Sequence, residues 1–270
     1  MLKMAFKKGL APKKKDLTLL LCSAQWISEF PKEIQELYGA SPENPKTIML
    51  VPYAVDDRDA VLERVSKALA PMGITVVSAH KTKYPLAMLN KVDGVFVTGG
   101  NTFRLADELQ KTGLDKAIHY KVKAGMPYMG SSAGTNVACP TMMTTNDMPI
   151  VQPKSFKAIN LIPFQINAHY FAGAFKYDDD GKGSYIPYAG ETRDDRIIQF
   201  QEEQKIPVVG LRESTALRIQ GNKVQLLGKK PARIFIPGKK PVDVTTNTAL
   251  TALMAPKKTI AATPKKPARQ

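Results

Sequence analysis

The sequence predicts an α/β fold built on a mostly parallel sheet with helices on both faces. Three observations point to it. Short, wholly apolar runs recur through the first half of the chain, helical stretches of about ten residues separate several of them, and small polar or glycine residues close them at one end. A run that is apolar at every position is covered on both sides, which crossover helices accomplish for a parallel sheet.

The elements follow in order. Leu17 to Ser23 (LTLLLCS) reads as a buried strand and Ile27 to Tyr38 as a helix interrupted early by Pro31. Thr47 to Val51 (TIMLV) is the second strand. Asp59 to Ala70 then places Val61, Leu62, Val65, Ala68 and Leu69 on one helical face before Pro71 and Gly73 stop it. Ile74 to Ser78 is the third strand, a short helix lies near Pro85 to Leu89, and Gly94 to Thr98 is the fourth strand, ending in Gly99-Gly100-Asn101. Helices at Thr102 to Gln110 and Leu114 to Ala124 lead into a further strand before Ser132. Past it, Pro140, Pro149, Pro153 and Pro163 predict irregular backbone with one strand at Ile162 to Ile166. Tyr177 to Gly190, acidic and glycine-rich, reads as a mobile loop, and Arg193 to Gln204 as a helix. Short strands at Pro207 to Leu211, Ala216 to Ile219, Lys223 to Leu227 and Ala232 to Ile236 suggest hairpins, with Gly221-Asn222 as one turn. The expected organisation is a basic disordered arm over 1–15, one domain over 16–254, and a Lys/Pro/Ala-rich disordered tail over 255–270.

Net charge is +15, yet its distribution argues against a basic body. Residues 1–15 contribute +6 and residues 229–270 contribute +9, while 16–228 holds 23 basic and 23 acidic side chains. No specific nucleic-acid partner is therefore expected, only weak, salt-sensitive binding of polyanions by the two ends. Cys22 and Cys139 are the sole cysteines and form no CxxC or Cys/His cluster, so neither a disulfide framework nor a zinc site is indicated. The N-terminus has lysines but no continuous apolar segment, and no run is long enough to span a bilayer, so a cytoplasmic protein without membrane contact is expected. Absence of Arg and Ser from the arm argues against an organellar transit role.

The chemistry centres on Met126 to Asn136, MPYMGSSAGTN: an apolar run, a sharp bend and a helix start. Gly130-Ser131-Ser132-Ala133-Gly134 is a G-x-S-x-G pattern, which as a nucleophile elbow would stand the Ser132 hydroxyl clear of the sheet and turn the Ala133 N–H toward an oxyanion. The same pattern also occurs in plain tight turns. A serine nucleophile needs a base, and there are three histidines. His80 and His119 read as structural or surface residues, whereas His169 closes an apolar run, Ile166-Asn167-Ala168-His169, that could deliver it to the crevice. Two carboxylates compete to orient it: Asp147, giving the order Ser, Asp, His, and Glu213, giving Ser, His, Glu. Spacing does not choose between them.

GGNTFRL (99–105), GSSAGTNVACPT and TTNDMPI (within 130–150), NLIPFQINAHY (160–170), GETRDDRI (190–197) and VGLRES (209–214) together resemble the peptidase E, or α-aspartyl dipeptidase, family of serine peptidases. The resemblance runs in order through about 16–228. It implies a three-layer α/β/α sandwich related to class I glutamine amidotransferases, with C-terminal hairpin strands, and hydrolysis of dipeptides with N-terminal aspartate through an acyl-enzyme. It further implies Ser132 as nucleophile, His169 as base, Glu213 as third member, and the N–H groups of Gly100 and Ala133 as oxyanion hole. Asn101, Asp147, Glu191 and Arg193 match positions near the substrate, and no metal or organic cofactor is implied. One departure is Ser131, where the family usually carries Trp; another is the poorly matching stretch Tyr177 to Gly183. Two rivals remain: a cyanophycinase-like hydrolase of another aspartyl peptide or amide, and a catalytically silent binding protein on the same fold. The arm and tail have almost no apolar periodicity with which to bury surface. Deleting 1–14 and 256–270 is accordingly expected to leave kcat/KM unchanged in a dipeptide-hydrolysis assay; a large loss would mean that one end folds over the crevice.

Overall fold

Five parallel strands form the centre of the molecule: β1 (Thr18–Cys22), β2 (Lys46–Val51), β3 (Ile74–Ser78), β4 (Gly94–Val97) and β5 (Tyr128–Ser131). The structure is a computed structural model that describes residues 16–178, 181–245 and 247–255; the arm over 1–15 and the tail from 256 onward lie outside them. Successive strand residues point to opposite faces, which explains why these strands are apolar at every position. Leu19 and Leu21 of β1 join one buried cluster, Leu20 and Cys22 another. The first cluster takes in α4 (Pro85–Leu89), α5 (Thr102–Thr112), α6 (Leu114–Lys123) and α7 (Ala133–Val137) through Leu89, Leu105, Ile118, Val122 and Val137. The second takes in α1 (Trp26–Glu29), α2 (Pro31–Tyr38) and α3 (Arg58–Leu69) through Trp26, Ile34, Leu37, Val61, Val65 and Leu69. Helices thus cover both faces. Each fully buried Leu, Ile or Val contributes roughly 1.5–3 kcal/mol, so these two clusters dominate the stability of the sheet.

Further along the chain lie β6 (Gln165–Tyr170), β7 (Lys176–Asp178), β8 (Tyr185–Pro187), α8 (Arg193–Gln204), β9 (Val208–Arg212), β10 (Ala216–Gln220), β11 (Lys223–Leu227), β12 (Ala232–Phe235), β13 (Val242–Val244) and α9 (Asn247–Ala252). The hairpin β10–β11, turning at Gly221-Asn222, adds antiparallel strands beyond β1, so the main sheet runs β11-β10-β1-β5-β4-β2-β3. A second sheet runs β13-β12-β9-β6. Among the described residues no helix is long and apolar enough to cross a membrane.

Several expectations change. The strand expected at Ile162 to Ile166 begins at Gln165 and continues to Tyr170. Strand β9 does not form a hairpin with β10: it pairs in parallel with β6 and antiparallel with β12, and Glu213-Ser214-Thr215 carries the chain from one sheet to the other. The stretch read as a mobile loop contains the β7–β8 hairpin. Its acids and glycines dominate the composition, but Phe175 stacks on Tyr188 with centroids 4.6 Å apart, and Tyr177 packs nearby. The elements β13 and α9 carry little apolar signal; Leu250 is the one fully buried side chain of α9.

Candidate active site

The site forms where the carboxyl ends of β1 and β5 meet those of β6 and β9. Ser132 joins β5 to α7 with φ 52° and ψ −110°, a strained conformation for a residue with a side chain. Tight packing imposes it. The first turn of α7 lies so close to β4 that a Cβ on Gly134 would stand 2.0 Å from the Val97 carbonyl oxygen. Ser132 N–H and Thr135 Oγ1 both donate to the Cys22 carbonyl, at 3.0 and 2.7 Å, pinning the bend to the end of β1. Gly99 also lies close to the serine: a Cβ there would stand 3.0 Å from Ser132 Cβ. Gly100, at φ 132°, leaves no room for a side chain against the Ala54 carbonyl. The Gly99-Gly100 turn and the elbow therefore face one crevice.

His169 reaches the same crevice through a bulge. Strands β6 and β9 pair in parallel with Ala168 beside Leu211 and Tyr170 beside Arg212, so His169 is the extra residue, at φ 56°. Parallel register brings His169 and Glu213 out at the same end. The imidazole Nε2 lies 2.7 Å from Ser132 Oγ and Nδ1 lies 2.6 Å from Glu213 Oε1. An ionised carboxylate only accepts, so Nδ1 carries the proton and Nε2 is free to accept from the serine hydroxyl. The imidazole and carboxylate are 39% and 44% exposed, so solvent reaches the pair.

The other carboxylate is occupied elsewhere. Asp147 Oδ2 accepts from Thr102 N–H at 2.8 Å, Thr102 Oγ1 at 2.6 Å and Thr145 Oγ1 at 3.0 Å, at the N-terminus of α5. Asn101 caps the same helix, accepting from Arg104 N–H, and donates to the Met148 carbonyl. The remaining histidines have structural partners: His80 with Ser78 and Asp59, His119 with the Ile159 carbonyl. Burial pushes the Cys139 thiol up to about 12 against a partly opposing hydrogen bond from Ile166, and burial raises the Cys22 thiol too. Neither offers a thiolate nucleophile. Among the described residues no three His, Cys, Asp or Glu side chains come together as a metal-holding group.

Arg193, the first residue of α8, flanks this relay. Its guanidinium lies 4.9 Å over the Phe171 ring, two residues beyond His169. Burial, reinforced by Arg196 and opposed by Asp147, holds its pKa below the ordinary arginine value. Neither of two acids close to it in sequence, Glu191 and Asp195, holds it. Glu191 pairs with Arg196 and Gln199, and Asp195 closes the capping box with Thr192. The buried Nε of Arg193 has no hydrogen-bond partner. A cavity of about 220 Å³ opens beside it, lined also by Asn146, Phe171, Phe175, Tyr188 and Glu191.

Two supporting residues carry no sequence signal. Ser23, fully buried past the end of β1, accepts from the His169 N–H at 2.9 Å and donates to the Leu211 carbonyl at 2.9 Å. Gln25 accepts from Ser214 Oγ, beside Glu213. Gln25, Ser132, His169 and Ser214 all have positive φ, so four strained non-glycine residues gather at one site.

A partly exposed serine on a strained strand-to-helix turn, bonded to an imidazole that is backed by a carboxylate, defines a serine-hydrolase type of site. Similarity supplies the family. The model of peptidase family S51 matches residues 19–227, and the chain belongs to that family of serine-type peptidases. A Streptomyces coelicolor protein named peptidase E is 46% identical over 207 residues, covering 77% of this chain and 82% of its own. A Drosophila melanogaster protein named "Probable alpha-aspartyl dipeptidase" is 41% identical over 204 residues, covering 75% and 80%. The crystal structure of a peptidase from an acI-B1 actinobacterium shares the fold, with TM-score 0.61 over 86% of this chain and 96% of that one at 17% identity.

Proposed function

We propose that the protein hydrolyses dipeptides with an N-terminal aspartate through an acyl-enzyme. The observation that carries the reaction type is the Ser132–His169–Glu213 relay, with both hydrogen bonds already formed. Ser132 Oγ attacks the carbonyl carbon after the aspartate while His169 Nε2 takes its proton, and Glu213 holds the imidazolium that results. The tetrahedral oxyanion lies between the N–H groups of Gly100 and Ala133. His169 then returns the proton to the leaving amine, and water, activated by the same imidazole, releases the acyl group. Arg193 takes the substrate's side-chain carboxylate, and Asp147 and Glu191 supply negative charge for its free ammonium. The name of the Drosophila relative supports the same substrate class. Asn101 contributes by holding the wall, since its amide is engaged with Arg104 and Met148.

The test is hydrolysis of a panel of Asp-X, isoaspartyl, Asn-X and Ala-X dipeptides. Preference for Asp-X is expected; selective cleavage of isoaspartyl bonds would replace the substrate assignment. A second experiment separates the carboxylates. Glu213→Gln is expected to lower kcat on the order of ten- to a hundredfold, the pair being solvent-accessible enough for water to substitute partly. Asp147→Asn is expected mainly to raise KM, because its carboxylate ties the 141–150 loop to α5. Steady-state kinetics giving the reverse pattern would transfer the orienting role to Asp147.

A further inference from the structure

Behind the crevice, two arginines, two aspartates and a tyrosine form one connected network. Asp243 of β13 stands opposite Arg233 of β12 in antiparallel register. Its carboxylate accepts from Arg233 Nε at 2.8 Å and Nη2 at 3.3 Å, and both its oxygens lie 3.2 Å from Arg212 Nη2. Arg212 also donates to the Pro231 carbonyl at 2.6 Å and lies over the Tyr170 ring. Arg233 Nη1 reaches Asp194 Oδ2 at 3.0 Å, and the other oxygen of Asp194 accepts from Tyr170 Oη at 2.5 Å. Charges in the network balance, two against two.

The arrangement matters because of who the chain neighbours are. Tyr170 follows His169, Arg212 precedes Glu213, and Asp194 follows Arg193. Each residue assigned to chemistry or to aspartate recognition on these elements thus has its neighbour anchored in one closed array, in which Asp243 is the carboxylate that hydrogen-bonds both arginines. Planar guanidinium forks on a carboxylate fix direction as well as distance. Arg233, by hydrogen bonding, holds the Asp243 carboxyl below the usual carboxylate range, so this carboxylate stays charged. Arg233 and Asp243 both lie beyond residues 19–227, the stretch matched by the family model.

We propose that Asp243 is a positioning residue: through Arg212 it sets Glu213 on His169, and through Arg233 and Asp194 it sets Arg193 against the crevice. The Arg193 branch rests on the substrate reading above; the Glu213 branch does not. The test uses Asp243→Asn in the full chain, a near-isosteric change at an edge strand. Folding is followed by circular dichroism, the His169–Glu213 proton by its far-downfield proton NMR resonance, and kinetics on Asp-X and Ala-X.

The variant is expected to fold, to weaken or lose that resonance, and to drop kcat/KM on Asp-X on the order of ten- to a hundredfold, as small misplacements of reacting groups do. Asp194→Asn, which leaves the Asp243–Arg212 contact intact and an amide oxygen to accept from Tyr170 Oη, is expected to keep the resonance and raise KM for Asp-X more than for Ala-X. It also decides the matter for the Arg193 branch if Asp243→Asn fails to fold. A folded Asp243→Asn with lower melting temperature but unchanged resonance and unchanged kinetics would overturn the proposal; should exchange with solvent hide the resonance in the wild type, the kinetics alone decide. Should the wild type not cleave Asp-X at all, the substrate reading falls, and the resonance in Asp243→Asn still decides the Glu213 branch.

Discussion

Ser132→Ala is expected to abolish turnover, by on the order of 10⁴-fold or more, without unfolding the protein. The loss follows from the geometry: Ser132 Oγ is the atom His169 Nε2 is aimed at, 2.7 Å away, and alanine leaves that nitrogen with nothing to deprotonate. The fold is spared because the bend is held by backbone and by Thr135, through their bonds to the Cys22 carbonyl, not by the serine hydroxyl. Ser131→Ala is the control. Ser131 is the last residue of β5, buried and beside Cys22 in the sheet, so it faces a different environment and its loss is expected to leave kcat near the wild-type value. Ser132→Gly adds a second readout. At φ 52° and ψ −110° a glycine removes strain worth about 1–3 kcal/mol, so that variant is expected to be as inactive as the alanine one but to melt higher. Residual activity within tenfold of wild type in Ser132→Ala would end the nucleophile assignment.

The elbow is legible in the sequence because its signal is local. Gly130 and Gly134 are spaced by the bend itself, and the close approach of α7 to β4 dictates a residue without Cβ at 134. The strands of the main sheet are legible for a similar reason: burial on both faces writes itself as an unbroken apolar run in Leu19 to Cys22 or Val95 to Val97. What brings His169 and Glu213 to Ser132 is non-local. His169 meets Ser132 across 37 residues and Glu213 across 44, and its bulge is stabilised by Ser23 from 146 residues away. No window of sequence contains those distances. Composition, moreover, hides the β7–β8 hairpin, where the aromatic residues are outnumbered by acids, glycines and lysines, and the excess charge counted over 229–270 does not show that Arg233 is paired with Asp194 and Asp243. The choice between Asp147 and Glu213 does not come from spacing, since both lie in loops past apolar runs; it is the parallel register of β6 and β9 that brings only one of them onto His169 Nδ1.

Arg193→Met is expected to cost tens to thousands of fold in kcat/KM on Asp-X dipeptides and much less on Asn-X or Ala-X. Reading a short acidic side chain requires a cation with fixed geometry. Arg193 meets that requirement in a way its neighbour on the helix does not: Arg196 is paired with Glu191, whereas Arg193 keeps a buried Nε without a partner and is steadied by the Phe171 face. Holding an unpaired cation half-buried is unfavourable, and burial accordingly lowers its pKa. A substrate carboxylate entering the 220 Å³ cavity beside it would relieve that cost, so the proposed aspartate preference would be prepared in part before binding. Removing one member of a buried charge pair costs roughly 2–5 kcal/mol, and about 1.4 kcal/mol is tenfold in rate, which sets the expected range. Methionine retains much of the length and the apolar stem of the arginine, so packing on Phe171 survives and the change isolates the charge. Arg193→Lys is expected to recover only part of the loss, because an ammonium cannot present two parallel donors to a carboxylate. If charged and neutral dipeptides lost rate equally in Arg193→Met, the residue would be holding α8 and its loop, and the specificity cation would have to be sought elsewhere.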